Sequence, residues 1–217
     1  MKNNRQQAKN REPIGREEPL LKKRREILQI AGIGVLGGLM TQDAKGVQKP
    51  RTNFKVLGEN DRFDVGDRGK EMIENAYKTG HEFEKKHGGC ARCAVAALQT
   101  SIEFVPNDKG LFRAAGCLDG GATPNGMQSC GAFTGVGMVI GWVCGKSEFG
   151  DTKLCHKLMR KVHQRFDREY GSVLCKDVRE KAKKDCPEVV GRAAMWTAEI
   201  LLEQFTNYEQ EKDISNE

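Results

Sequence analysis

Eight cysteines fall in a chain of 217 residues, and their spacing offers chemistry that thiols supply best. Cys90-Ala91-Arg92-Cys93 sets two sulfurs three residues apart, on one face if the segment opens a helix. Cys130-Gly131-Ala132-Phe133-Thr134-Gly135 places a third ahead of a glycine-rich apolar run that closes on Cys144. Cys175 and Cys186 bracket a polar connection, a usual way for a loop to bring in a ligand pair. Thiolate is the ligand form for metals and iron–sulfur clusters, and helix starts favour it through the dipole and unpaired amides. Glycines at 120, 121, 126 and 131 leave room for amides to point at sulfur.

Three readings of these cysteines stand side by side. The first is a metal or iron–sulfur site held by thiolates. The second is a dithiol–disulfide couple at Cys90 and Cys93, with Arg92 helping to hold a thiolate. The third is a set of structural disulfides in an exported protein, which an even count permits. A c-type haem is excluded, because CxxCH would need histidine where Ala94 stands. Zinc on four cysteines, or on three and a histidine, lacks paired CxxC knuckles. His156 and His163 fall on a polar helix face; His87 precedes Gly88-Gly89-Cys90 and reads first as a histidine favoured by a helix C-terminus. Asp119-Gly120-Gly121 has only fragments of a calcium loop.

The elements that must position these residues follow from apolar periodicity. Helices are expected from Arg68 to about His87, from Cys90 to Val105, around Lys109–Ala115, over Gly131–Val143, over residues 152–170 and from about Val190 to Phe205. Strand-type alternation is absent. The chain therefore reads as all-α, a single domain of five to six helices over residues 67–206, with the glycine-rich Gly131–Val143 helix buried at its centre. Gly131/Gly135 and Gly137/Gly141, each four apart, read as tight helix packing. Cys144 and Cys155 sit on apolar faces, where buried free cysteine is common.

Both ends read as outside the core. Residues 1–26 carry nine Lys/Arg and four Asp/Glu, so most of the net charge of +6 belongs to them. The remainder is close to neutral, and the folded part has no electrostatic case for nucleic acid. Lys22-Lys23-Arg24-Arg25 precedes a short apolar stretch, Ile30 to Met40, softened by four glycines. Residues 1–44 accordingly resemble a disordered basic leader of the twin-arginine export type, which implies a periplasmic or exported protein. The stretch is too short for a confident span, so membrane contact would come only through an uncleaved leader. Residues 45–66 read as a linker and 207–217 as an exposed tail.

Cys93, Cys130-Gly131-Ala132-Phe133-Thr134-Gly135, Cys175 and Cys186 together resemble the C-GCAxxG-C-C family of redox-active proteins, whose hallmark is CGAxxG with four cysteines in this order. The match covers about residues 70–205. Carried over residue by residue, the resemblance implies Cys93, Cys130, Cys175 and Cys186 as the family positions, with Cys90, Cys117, Cys144 and Cys155 additional. It implies a helical redox module. The related split-Soret cytochromes pair a similar domain with an iron–sulfur cluster and two haems, in a dimer. With no haem motif here, the cluster alone carries over, as 2Fe-2S or 4Fe-4S, with Gly131 beside it. The expectation is an electron carrier working with a redox partner protein, rather than a substrate-converting enzyme. A homodimer stays open, as does a disulfide-stabilised binding protein.

Overall fold

Seven α-helices form among the described residues of the computed structural model, 54–208 apart from 124 and 147. The leader, most of the linker and most of the tail lie outside those residues. The first helix, α1 (Gly69–His87), buries Met72, Ile73, Ala76 and Gly80, a spacing of three and four that lines one face. Gly88 ends it, and Gly89, at φ +96°, turns the chain directly into α2 (Cys90–Ser101). The short α3 (Lys109–Ala114) begins at Asp108, whose carboxylate accepts from the Leu111 amide at 2.7 Å. A kinked 3-10 stretch, Ala115–Ala122, leads to the loop before α4 (Gly131–Cys144).

Amphipathic α5 (Lys153–Tyr170) buries Leu158, Val162, Phe166 and Tyr170, and Gly171 ends it in the left-handed region. After it come α6 (Cys175–Lys181) and α7 (Cys186–Phe205). The last helix carries much of the core: Val189, Val190, Ala193, Ala194, Ala198, Leu201, Leu202 and Phe205 are all buried. It packs along α1 and also meets α2, α4 and α5. Phe166 joins Phe133, Tyr170 and Trp196 in an aromatic cluster that ties α5 to α4 and α7.

The all-α reading holds: strands are absent among the described residues, which show two isolated bridges instead. Three boundaries differ from expectation. The connection between Cys175 and Cys186 contains α6, whose polar sequence has too few apolar positions to show a period. α7 starts at Cys186 rather than near Val190, because Pro187 suits a first turn and the Asp185 side chain caps it. α2 stops at Ser101, where Ile102 turns extended, rather than at Val105. No helix among the described residues is long and apolar enough to cross a membrane.

Candidate functional site

Four of the eight cysteines open four different helices. Cys90 is the first residue of α2, Cys130 the N-cap of α4, Cys175 the first residue of α6 and Cys186 the first of α7. Their convergence has local causes. Ser129 and Leu174 form an antiparallel bridge, with the Cys130 amide donating to Val173 at 2.7 Å and the Cys175 amide to Gln128 at 2.9 Å. That crossing puts Cys130 and Cys175 side by side. Cys186 is delivered by a tight reversal after α6, in which Lys183 and Lys184 take φ of +51° and +67°. Two consecutive non-glycine residues in that region are uncommon and strained.

Cys90 is fixed by a residue that sequence reading dismissed. The Asp119 carboxylate accepts from the amides of Ala91 (2.9 Å) and Arg92 (3.3 Å), capping α2 from another segment. Its second oxygen pairs with Arg92 Nε at 2.8 Å. The next residue, Gly120, donates its amide to Cys90 Sγ at 3.4 Å. Gly131 lies so close beneath Cys90 that a Cβ there would run into its sulfur, with Leu118 O 2.8 Å away on another side. Of the glycines expected to let amides point at sulfur, Gly120 directs its own amide there, while Gly131 leaves the sulfur room by its missing side chain.

Cys90, Cys130, Cys175 and Cys186 line one cavity of about 230 Å³, with Glu84, Asp119, Arg179, Val178 and Val189 among the remaining walls. Among the described residues, no three His, Cys, Asp or Glu side chains are drawn together tightly enough to grip a metal ion directly. Each sulfur makes a neighbour harder to ionise: Cys90 and Cys175 oppose a thiolate at Cys130, Cys175 one at Cys186, and Cys186 one at Cys90. Burial pushes the Cys90 thiol up to about 11 and the Cys130 thiol up to about 12. Burial also raises Cys175 and Cys186. Helix starts were expected to favour thiolate. The amides of Gly120, Ala132 and Phe133 do favour it, but desolvation outweighs them. Burial thus favours the neutral thiol over the thiolate at all four.

Cys93, carried over in place of Cys90 as a family position, stands elsewhere. Its sulfur donates to Gly88 O at 3.4 Å and lines a separate cavity of about 500 Å³ with Phe83, His87, Arg92 and Phe112. Burial first, and then Glu84, push its thiol up to about 12. The dithiol reading of Cys90 and Cys93 therefore meets two buried, protonated sulfurs on different cavities. Cys117 is exposed, and Cys144 and Cys155 meet each other away from both cavities. His87, His156 and His163 are exposed. Sequence reasoning missed Asp119 and Glu84 as cavity walls, because each acts on a cysteine far away in sequence or on another helix.

The family model that carries the description "Putative redox-active protein (C_GCAxxG_C_C)" matches residues 88–200, just over half of the chain and all four cavity cysteines. No curated protein and no solved structure matches the chain.

Proposed function

The chain belongs to the C_GCAxxG_C_C family of redox-active proteins, and from that premise we propose that it is an electron carrier whose iron–sulfur cluster is held by Cys90, Cys130, Cys175 and Cys186. The observation that carries this reading is the meeting of four cysteines, each opening a different helix, around one cavity. The donor set fits the group, because the four residues offer sulfur alone and cysteine thiolates are the usual cluster ligands. Size supports it too. The four sulfurs border a cavity of about 230 Å³, room for a group of several atoms.

When bound, a cluster supplies reversible acceptance and release of single electrons. The rest is done by the chain. The four thiols must shed their protons on loading, so uptake releases acid and strengthens with pH. The Gly120 amide at Cys90, with those of Ala132 and Phe133 at Cys130, would stabilise sulfur charge and raise the potential. Arg179 adds a cation at the cavity wall, while Glu84 and Asp119 oppose it. The four sulfur donors support electron transfer to a partner protein as the role of the site. The Arg24-Arg25 leader supports export of the chain in folded form.

Iron and acid-labile sulfide per chain, measured on protein purified without oxygen, test the proposal. Matched iron and sulfide in the wild type, lost in Cys90→Ser and kept in Cys93→Ser, is the expected result. Iron retained by Cys90→Ser and lost by Cys93→Ser would return the ligand role to Cys93. No iron or sulfide after anaerobic reconstitution would end the cluster reading.

A further inference from the structure

Cys144 and Cys155 take no part in either cavity, yet they are placed with respect to each other. Cys144 is the last residue of α4 and Cys155 lies in the first turn of α5. Their Sγ atoms are 3.5 Å apart. We propose that these two residues form a second redox site, a dithiol that closes to a disulfide by exchange with a low-molecular-weight disulfide.

Three features of the fold carry this. A cysteine that merely fills a core packs its sulfur on carbon, whereas here sulfur meets sulfur. Bond formation requires the two atoms to close by about 1.5 Å, to the usual length near 2.05 Å, and both residues sit at helix ends where a small adjustment is cheap. The connection between them is exposed at Glu148, Phe149, Gly150 and Asp151, so these residues can follow that adjustment without leaving the core. Besides meeting Cys155, Cys144 Sγ donates to Ile140 O within its own helix, at 3.2 Å. Losing that bond leaves the carbonyl its ordinary helical partner.

The two thiols differ in access, which orders the chemistry. Cys155 is half-buried and Cys144 buried. The Cys155 thiolate attacks one sulfur of the small disulfide, forming a mixed disulfide and expelling one thiolate, which takes up the proton that Cys155 lost. Cys144 then gives its proton to solvent and attacks Cys155 Sγ, expelling the second thiolate, which is protonated in turn. Two cysteine thiols lose two electrons and two protons, and one small disulfide becomes two thiols. Neither residue belongs to the proposed cluster ligands, so the two readings stand or fall separately.

The test uses the full-length chain, incubated natively in buffers of reduced and oxidised glutathione, then acid-quenched, alkylated and mapped by peptide mass spectrometry. A Cys144–Cys155 linked peptide, lighter by two hydrogens and rising along a two-electron curve with the oxidised share, is the expected result. Cys144→Ser should instead stop at glutathione attached to Cys155. Full alkylation of both residues in excess oxidised glutathione would overturn the proposal. So would a wild-type chain that halts with glutathione on Cys155, or linkage of either residue to another cysteine. Iron content should be equal in the wild type and in a Cys144→Ala/Cys155→Ala chain; a fall would overturn the independence of the pair.

Discussion

Replacing Gly135 with alanine sets two effects of known sign against each other on α4. In an isolated helix the change stabilises by about 0.8–1 kcal/mol, because glycine is the poorer helix former. Here the new Cβ would stand 2.5 Å from Ala91 O, 2.9 Å from its Cα and 3.1 Å from its carbonyl carbon, the last two well inside the roughly 3.5–4.0 Å of a comfortable carbon contact. The obstacle is backbone, so α2 and α4 must part by up to about 1 Å locally, and overpacking of this kind costs about 1–3 kcal/mol. Taking the upper part of that range, the net expectation is a loss of about 1–2 kcal/mol, or roughly 2–8 °C in Tm. Ala91 adjoins Cys90, so the same displacement should reduce iron uptake. Gly141 on the same helix is exposed with nothing within 4 Å of its would-be Cβ, and Gly141→Ala should gain about 0.5–1 kcal/mol. At Gly137 the new atom meets only the thioether end of Met159 at 3.3 Å, and the change should stay within about 0.5 kcal/mol either way. Urea unfolding of the reduced, metal-free proteins, followed by far-ultraviolet circular dichroism, measures all three. A Gly135→Ala midpoint at or above wild type would refute the close α2–α4 contact.

Asp119→Asn should cost about 1 kcal/mol, since it removes a charged cap from α2 and the Arg92 partner; unchanged denaturant stability would discount the cap. In loaded protein the same change removes a cavity-wall anion and should raise the midpoint potential in a redox titration. The reduced, metal-free fold should lose stability as pH rises above 9, because Cys90 and Cys130 are pushed from 9.0 to about 11 and about 12. The folded state holds those protons more tightly than the unfolded chain, so the stabilisation is complete below the unfolded value and fades through the folded ones. Chemical denaturation across that range checks it, and a flat or rising profile would contradict the burial. Lys184→Gly should leave stability equal or raise it by up to about 1 kcal/mol, as glycine relieves a left-handed φ; a loss beyond that, by thermal unfolding, would mean the lysine side chain matters more than its backbone.

The helical class was legible because α1, α5 and most of α7 carry apolar residues at helical spacing over four or more turns. α6 was not, since seven residues with Val178 as the buried apolar position display no period. Cys130, Cys175 and Cys186 were identified from their order around the glycine motif, and the structure brings those three together. The resemblance puts Cys93 among the family positions and leaves Cys90 additional, and a spacing of three puts both on one face at sequence resolution. What separates them is Asp119, 29 residues after Cys90, which caps the helix and draws Gly120 onto the earlier sulfur. Thiol ionisation was misjudged for a related reason: helix starts are visible in sequence, whereas burial by four converging segments is not. The glycine pairs were half-informative, with Gly131 and Gly135 receiving α2 and Gly141 facing open space.

α4 has a cysteine at each end, Cys130 as its N-cap and Cys144 as its last residue. Fourteen residues of helix separate them by about 20 Å, with Val136, Val139 and Ile140 buried between. On the two proposals above, the one-electron centre at the head of α4 and the two-electron dithiol at its foot would stand a helix length apart, each answering to its own exchange partner.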